Sequence, residues 1–291
     1  MNKKKILFIL NPIAGKRHKE NLSKSIKEHL DHSRFDDDIV VTDYAGHAVA
    51  LAQEAVAQQY DIVAVAGGDG SINEVGSCLI GTNIALAVLP HGSGNGLSRC
   101  LRIPLNPAKA IERINRNAVC QIDTVTVNGI PFISIAGTGY DAQVADDYAK
   151  NQHHGFDTYF RYIVKNYFTL GEKDYTLILP DKTIHTKAFF ISFANSNQMG
   201  YDVPISPHAC LWDGKVDICI VRKPNALELP VMSGFFLSKS MDKSPKVDII
   251  QTDSATIVRP QADVLNIDGE SITTEKDLHI QVHPLSLHVI V

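Results

Sequence analysis

The sequence lacks a long hydrophobic run, has few cysteines and carries no strong excess of charge. None of its apolar stretches approaches the roughly 18 residues that a membrane-spanning helix needs. The apolar residues 6–10 stop at Asn11-Pro12, too soon for a signal peptide. The five cysteines include no C-x-x-C pair, which predicts reduced thiols. A net charge of −4 gives no general attraction to nucleic acid. These absences predict a cytoplasmic protein that does not bind nucleic acid.

The order of apolar segments predicts two domains within the 291 residues. In residues 1–123, short apolar strands alternate with helical stretches, which is typical of a doubly wound α/β domain with a parallel sheet. From residue 124 to residue 291 the pattern changes to alternating strands and predicts a mostly antiparallel domain. The apolar helix predicted at residues 226–239 packs in the core of that domain or forms a wall of a substrate pocket.

A glycine-rich turn follows the apolar residues 61–66 and reads GGDGSINEV over residues 67–75. Three glycines let backbone N–H groups approach a phosphate closely. Ser71 is predicted to cap the helix that follows, and the N-terminus of a helix favours an anion. A carboxylate within such a turn, here Asp69, suits a metal ion or a proton transfer.

A second glycine loop, PHGSGNG at residues 90–96, follows the next apolar strand. Neither loop is a Walker A or a G-x-G-x-x-G sequence, so ordinary tight turns are the alternative interpretation. Ligands of parallel sheets bind beyond the carboxyl ends of the strands. Asn11, Thr42, Asp69 and Ser93 all lie at predicted strand ends, which indicates one nucleotide site.

Five segments in this order resemble the diacylglycerol kinase catalytic domain family, which includes bacterial lipid kinases and sphingosine and ceramide kinases. They are NPIAGK at 11–16, the two glycine loops taken together, GYDA at 139–142, DGKVD at 213–217 and DGE at 268–270. The resemblance covers most of the chain. It implies that the second domain is a β-sandwich and that the protein is an ATP-dependent lipid kinase.

The resemblance also implies which residues bind ATP. They contact its phosphates or ribose and are Asn11, Gly15, Thr42, Gly67, Gly68, Asp69, Gly70, Ser71, Asn73, Gly92, Ser93, Gly94 and Asn95. The same resemblance implies three catalytic acids. Asp268 would take the proton of the acceptor hydroxyl as general base. Glu270 would bind or orient the catalytic Mg²⁺, and Asp69 would hold a water on it. For Asp268-Gly269-Glu270 alone, the alternative is an exposed hairpin turn.

Two further metal roles follow from the family pattern. Asp123 matches an acidic member of the magnesium network. Asp213, with the backbone carbonyls of Cys210 and Lys215, resembles a separate structural magnesium site, for which a surface Asp-Gly turn is the alternative.

One residue departs from the bacterial diacylglycerol kinase pattern. An Asp commonly follows the Asn of the second loop in those enzymes, whereas this chain has Gly96. A small residue there is closer to sphingosine and ceramide kinases, and it predicts a sphingoid base or another non-glycerol lipid as the better acceptor.

Two other functions stay open at this point. NAD kinases share a G-G-D-G turn, although the second glycine loop is not explained by that function. Because Gly96 stands where related kinases carry Asp, a nucleotide-binding regulator without kinase activity is also an alternative. The lipid kinase prediction implies a lipid substrate presented at a membrane surface, with transient peripheral membrane contact, and leaves a homodimer open.

Overall fold

The computed structural model describes residues 3–12, 19–92, 94–150, 156–198 and 204–291. Within them the chain forms two compact units. Unit 1 contains residues up to Thr124 and residues 284–291, and unit 2 contains most of residues 125–283. The predicted division at residue 123 differs in one respect, because the last eight residues return to unit 1 as the end of the final strand.

Unit 1 is built on a parallel sheet. The elements of the first 118 residues are β1 (Lys4–Leu10), α1 (Lys19–His29), β2 (Phe35–Val41), α2 (His47–Ala57), β3 (Ile62–Gly67), α3 (Asp69–Leu79), β4 (Ala85–Pro90), α4 (Gly96–Cys100) and α5 (Pro107–Arg116). The strand order is β2-β1-β3-β4, followed by the end of the last strand of the chain. β3 and β4 are buried along their whole length, because helices cover both faces of such a sheet. The predicted parallel sheet is therefore confirmed.

Helix α5 is absent from the sequence prediction, although its ends carry ordinary signals. The Asn106 side chain accepts a hydrogen bond from the Lys109 N–H at 3.2 Å, and Pro107 occupies the first turn. Asn117 ends the helix in the left-handed conformation. Ala110, Ile111 and Ile114 are buried on its apolar face.

Unit 2 is built mainly from antiparallel strands. The elements after residue 118 are β5 (Val119–Val127), β6 (Ile130–Phe132), β7 (Ile135–Gly139), α6 (Tyr140–Ala149), α7 (Phe156–Thr169), β8 (Lys173–Ile178), β9 (Thr183–Ala188), β10 (Phe190–Ala194), β11 (Val216–Val221), α8 (Leu229–Leu237), β12 (Val247–Thr252), β13 (Ser254–Val258), β14 (Asp263–Ile267), β15 (Glu270–Thr274) and β16 (Asp277–Ile290). One antiparallel sheet has six strands in the order β12-β11-β10-β7-β14-β15. Further antiparallel pairs join β16 to β13, β13 to β8 and β8 to β9. A single apolar cluster draws residues from both groups of strands, so the unit is a β-sandwich as the family resemblance implied.

Two strands of unit 2 differ from the sequence prediction. Residues 186–194 read as one strand, but the structure forms β9 and β10, which meet at Phe189 and pair in different sheets. The predicted last strand, residues 278–282, continues to Ile290 as β16. The first error arises because the apolar residues continue through Phe189 without a break, and the second because Pro284 and the positive φ of Leu285 interrupt the alternation within β16.

Among the described residues, no helix combines the length and the hydropathy that crossing a bilayer requires.

Candidate nucleotide site and acidic residues

Polar residues meet at the carboxyl ends of β1, β2 and β3. The Asn11 N–H donates to the Ala66 carbonyl at 3.0 Å, and the Thr42 N–H donates to the Leu10 carbonyl at 2.9 Å. The Asn11 side chain donates to Ser71 Oγ at 2.8 Å, which connects the end of β1 to helix α3. The structure therefore brings three of the predicted nucleotide residues to one edge of the sheet.

The two glycine loops touch each other through their backbones. A Cβ built on Gly92 would lie 2.4 Å from the Cα of Gly68, closer than any real side chain tolerates. A Cβ on Gly67 would lie 2.5 Å from the Cβ of Ser71. The His91 N–H also donates to the Gly67 carbonyl at 3.0 Å. Glycine at position 92 thus lets the two loops pack backbone to backbone, and glycine at position 67 leaves space for the Ser71 side chain.

Asp69 links the first loop to the second. Its Oδ1 accepts a hydrogen bond from the Gly96 N–H at 2.7 Å, at the start of α4. Burial raises the pKa of Asp69, while N–H groups of residues 95–97 act in the opposite direction. The carboxylate therefore holds the second loop in place, a role that the sequence did not indicate.

Asn95 fixes the second loop from within. It adopts the left-handed conformation with φ 52° and is buried. Its Oδ1 accepts from the Gly92 N–H at 2.9 Å, and its Nδ2 donates to the Gly92 carbonyl at 2.8 Å. These two bonds hold Asn95 against Gly92 from both sides.

Helix α3 begins earlier than the sequence predicts. It starts at Asp69, and Gly68 is its N-cap, with no side-chain cap. The prediction that Ser71 caps the helix is therefore wrong, because Ser71 lies within the first turn and accepts the bond from Asn11. Gly70 and Asn73 also lie within the helix, where Asn73 Oδ1 accepts from Ser77 Oγ at 3.1 Å.

Gly94 contributes a carbonyl that accepts from Arg99 Nε at 3.1 Å. The predicted residues Gly15 and Ser93 lie outside the described residues.

An aromatic pair that the sequence prediction missed follows β2. The Tyr44 ring stacks on the His47 imidazole with centroids 4.5 Å apart and planes 6° from parallel. Tyr44 is 64% exposed although it follows the predicted phosphate or ribose contact Thr42 by two residues. The sequence signal for this pair was an aromatic residue, Tyr44, two positions after the predicted strand end at Thr42.

Asp123 is fully buried in unit 1. Its Oδ1 accepts a hydrogen bond from the Leu285 N–H at 2.8 Å, where Leu285 takes a positive φ of 48°. The side chain thus supports the returning end of β16. Its predicted magnesium role stays a prediction.

Asp268 lies in unit 2, in a two-residue turn between β14 and β15. Both Asp268 and Gly269 have positive φ, as a type I′ hairpin turn requires. The Asp268 side chain is nevertheless only 3% exposed. Its Oδ2 accepts from the Ile133 N–H at 2.8 Å, and its Oδ1 accepts from the N–H groups of Ser134 and Ile135 at 3.0 and 2.8 Å. The carboxylate therefore anchors residues 133–135 to the turn, and its role as general base stays a prediction.

The other predicted metal residues of unit 2 are exposed or form local turns. Glu270 is exposed at the start of β15. Asp213 Oδ1 accepts from the Lys215 N–H at 3.1 Å, and Gly214 has a φ of 71°, so these residues form a local Asp-Gly turn. Within the described residues, no three His, Cys, Asp or Glu side chains are grouped to hold a metal. The predicted set of Cys210, Asp213 and Lys215 stays a prediction.

A further acid, Asp141 in the GYDA segment, lies in the first turn of α6, and its carboxyl group is buried. Its Oδ2 lies so close to Gly137 that a Cβ there would come within 2.3 Å of it. Its Oδ1 has no hydrogen-bond partner among the described residues. Burial raises the pKa of Asp141 to about 7.

Comparison with known protein families identifies both parts of the chain. Residues 5–127 match the family model of the diacylglycerol kinase catalytic domain, and residues 134–291 match that of the YegS C-terminal NAD kinase beta sandwich-like domain. The chain belongs to the diacylglycerol kinase catalytic domain family. This assignment confirms the resemblance derived from the glycine loops and the DGE segment.

Relatives in this kinase family span nearly the full chain. A diacylglycerol kinase of Staphylococcus saprophyticus is 26% identical over 273 residues, which cover 92% of this chain and 89% of the relative. A diacylglycerol kinase of Bacillus subtilis is 25% identical over 273 residues, with 92% and 90% coverage.

Among solved structures, a diacylglycerol kinase of Bacillus anthracis has a TM-score of 0.77 at 21% identity and covers 100% of this chain and 97% of that one. A second B. anthracis structure gives a TM-score of 0.81 at 22% identity, with coverage of 99% and 95%. At these identities the structures establish the fold alone.

Proposed function

We propose that the protein is an ATP-dependent lipid kinase that transfers the γ-phosphate of ATP to a lipid hydroxyl. The observation that carries this proposal is the backbone contact between the two glycine loops at Gly68 and Gly92. Phosphoryl transfer needs phosphates positioned by fixed dipoles. The first turn of α3, which begins at Asp69 and lies beside Asn11, offers backbone N–H groups for that purpose.

Magnesium is implied by the family, and the residues suit it in part. Mg²⁺ prefers oxygen ligands, keeps several waters, and is usually bound by one or two carboxylates together with substrate phosphates. Asp69 and Asp123 could supply such carboxylates in unit 1, and Glu270 and Asp213 could do so in unit 2. When bound with the nucleotide, the ion would offset the charge on the phosphate oxygens.

Asp268 remains our proposed general base, although its geometry adds a second role. The oxygens accept three backbone hydrogen bonds, which orient the carboxylate rigidly at the end of β14. A rigid orientation favours proton transfer only when an acceptor hydroxyl reaches an oxygen that retains a lone pair. The position of Asp268 in the DGE segment supports the role of general base. Because the same carboxylate also holds residues 133–135, a test must distinguish loss of the base from loss of these hydrogen bonds.

NAD phosphorylation is the second candidate function. It is supported by the description of the family model that matches residues 134–291, which names an NAD kinase-like β-sandwich. The first 127 residues favour the lipid kinase, because they match the diacylglycerol kinase catalytic domain.

The deciding experiment is transfer of radiolabel from γ-labelled ATP, with Mg²⁺, to a panel of acceptors. The panel contains diacylglycerol, a sphingoid base, a ceramide and NAD, with the lipids in mixed micelles. We expect label in a lipid product, with diacylglycerol supported by the names of the relatives and a non-glycerol lipid supported by Gly96. Label in NAD alone would establish the second candidate, and ATP binding without any transfer would leave a nucleotide-binding regulator.

A further inference from the structure

An apolar surface of unit 2 is exposed around helix α8. The helix reads LPVMSGFFL and contains neither a charged residue nor a buried one. Leu227, Val231, Phe236 and Leu237 are 89%, 59%, 45% and 80% exposed. We call these four residues, together with Phe168, the α8 surface. Such a concentration of exposed large apolar side chains is unusual for a protein that works only in water.

The helix is held in place by its opposite side. Met232 and Phe235 pack against a buried cluster that includes Ile205, Cys219 and Val247. The Ser244 hydroxyl contacts the Met232 sulfur at 3.2 Å. Because two side chains anchor α8 to the core, its exposed residues form a fixed part of the surface. The prediction that this helix packs in the core holds for these two residues only.

Phe168 extends the surface from the end of α7. It is 75% exposed and packs edge-to-face on Tyr167 with ring centroids 5.1 Å apart. The Tyr167 hydroxyl donates to the Pro224 carbonyl at 2.8 Å, and Lys223 Nζ donates to the Leu170 carbonyl at 2.6 Å. The end of α7 therefore lies against the segment that leads into α8.

Basic residues flank this uncharged helix. Residues 223–246 contain four lysines against Glu228 and Asp242, whereas the whole chain has a net charge of −4. Glu228 pairs with Lys246 at 2.9 Å, and Asp242 lies 3.7 Å from His208. Lys239 and Lys243, which follow the helix, are both exposed. Exposed apolar residues bordered by lysines are the chemistry that binds an anionic bilayer surface.

We propose that the α8 surface docks the protein onto an anionic phospholipid bilayer. Leu227, Val231 and Leu237 enter the boundary between headgroups and acyl chains, and Lys239 and Lys243 contact headgroup phosphates. A second copy of the chain fits less well, because a symmetric contact would bring the same lysines of both copies together. The inference rests on the proposed function in that the bilayer is the source of the lipid acceptor.

The test is co-sedimentation of the full chain with vesicles of phosphatidylcholine containing phosphatidylglycerol. Leu227→Glu combined with Leu237→Glu should reduce vesicle binding at least tenfold, because two carboxylates replace apolar contacts. Leu105→Glu combined with Val119→Glu is the matched control, since it adds the same charge at two exposed apolar positions of unit 1. Equal binding by the α8 variant and the wild type would overturn the proposal.

Two further measurements distinguish membrane docking from association between copies of the chain. Lys239→Gln with Lys243→Gln should weaken binding about fivefold per lysine on anionic vesicles and leave binding to pure phosphatidylcholine unchanged. If sedimentation velocity instead shows a wild-type dimer that the Leu227→Glu/Leu237→Glu variant abolishes, while vesicle binding is unchanged, the surface is a contact between copies and the proposal is wrong.

Activity measurements show whether the docking surface or the lipid kinase activity is the proposal that fails. The α8 variant should lose transfer to a lipid embedded in vesicles and keep transfer to a short-chain lipid dispersed in detergent. Loss of both activities with unchanged vesicle binding would count against the docking surface. Vesicle binding that depends on α8, in a protein that phosphorylates no lipid, would support the surface and contradict the lipid kinase.

Discussion

Two Asp-Gly turns, one in each unit, were predicted from the same family resemblance, and the structure builds them differently. In unit 1, Asp69-Gly70 begins a helix, and the loop around it presses its backbone against a second loop. In unit 2, Asp268-Gly269 is a tight hairpin turn with open space around Gly269. The first turn needs glycine nearby because there is no room for a Cβ, and the second needs it because of its backbone angles.

The two aspartates are nevertheless alike in one respect. Each is placed where catalysis was predicted, and each binds main-chain N–H groups of another segment: Asp69 that of Gly96, and Asp268 those of residues 133–135. A carboxylate that anchors a loop is positioned more firmly than one in solvent, which suits catalysis by positioning. A substitution at either aspartate can therefore remove a catalytic group, a loop anchor or both, and activity and stability must be measured separately.

The largest effect is expected for Asp268→Asn. The amide cannot accept a proton and brings its own N–H groups towards the backbone donors of residues 133–135. We expect turnover to fall about 10²–10⁴-fold if Asp268 is the general base, and unfolding free energy to fall by about 1–3 kcal/mol from the lost hydrogen bonds. Steady-state kinetics and urea denaturation measure the two effects. Reduced stability with wild-type turnover would leave Asp268 as an anchor only.

Gly92→Ala should produce the next largest effect, on the unit 1 turn. The new Cβ would meet the Gly68 backbone at 2.4 Å, so the two loops must separate. Overpacking of this kind typically costs about 1–3 kcal/mol, and the separated loops should bind ATP more weakly. Gly68→Ala is the control for stability, because its Cβ would lie at an ordinary 3.4 Å from the Cα of Gly92. Calorimetry that finds the same stability and ATP affinity in Gly92→Ala as in the wild type would contradict the observed loop contact.

A third aspartate, Asp141, differs from both because its Oδ1 lacks a partner among the described residues. Its pKa is raised by burial from 3.8 to about 7. Between about pH 4 and 7 the folded chain keeps a proton that the unfolded chain releases, so stability falls as pH rises through this window. Burial, followed by the charge of Asp141, also raises the pKa of Tyr175, which therefore stays neutral there.

Asp141→Asn should remove this pH dependence and make the protein more stable than the wild type at pH 8. Urea denaturation at pH 5, 6, 7 and 8 measures it. Asp174→Asn, at a carboxylate with an 81% exposed side chain, is the control and should leave the wild-type profile unchanged. A profile of Asp141→Asn that runs parallel to the wild type would show that this carboxyl stays ionised in the folded state.

Local sequence patterns predicted much of the fold. The apolar runs before the glycine loops became buried parallel strands. Asn128-Gly129, a dipeptide typical of hairpin turns, joins β5 to β6 with both residues at positive φ. The predictions that missed depended on distant partners. Nothing local shows that β9 and β10 pair in different sheets, or that the end of β16 returns to unit 1.

The candidate site shows the same limit. Glycine spacing predicted the two loops, but the contact between Gly68 and Gly92 depends on the strands that bring them together. The buried position of Asp268 could not be predicted either, since its partners lie more than 130 residues away in sequence. Side-chain type therefore indicated where chemistry occurs, and long-range pairing determines what each side chain binds.

The smallest effect is expected for Gly269→Asn, which completes the comparison of the two turns. A Cβ at this position meets no atom within 4 Å, so the substitution adds no clash. The cost comes only from the φ of 94°, and Asn tolerates positive φ better than most residues. We expect a loss of at most about 1 kcal/mol, with ATP affinity unchanged. Gly269→Val is the matched test, because a β-branched residue resists this conformation and should cost more than Asn. If urea denaturation shows Gly269→Asn to be as damaging as Gly92→Ala, then space rather than backbone angle limits both turns, and the contrast between them does not hold.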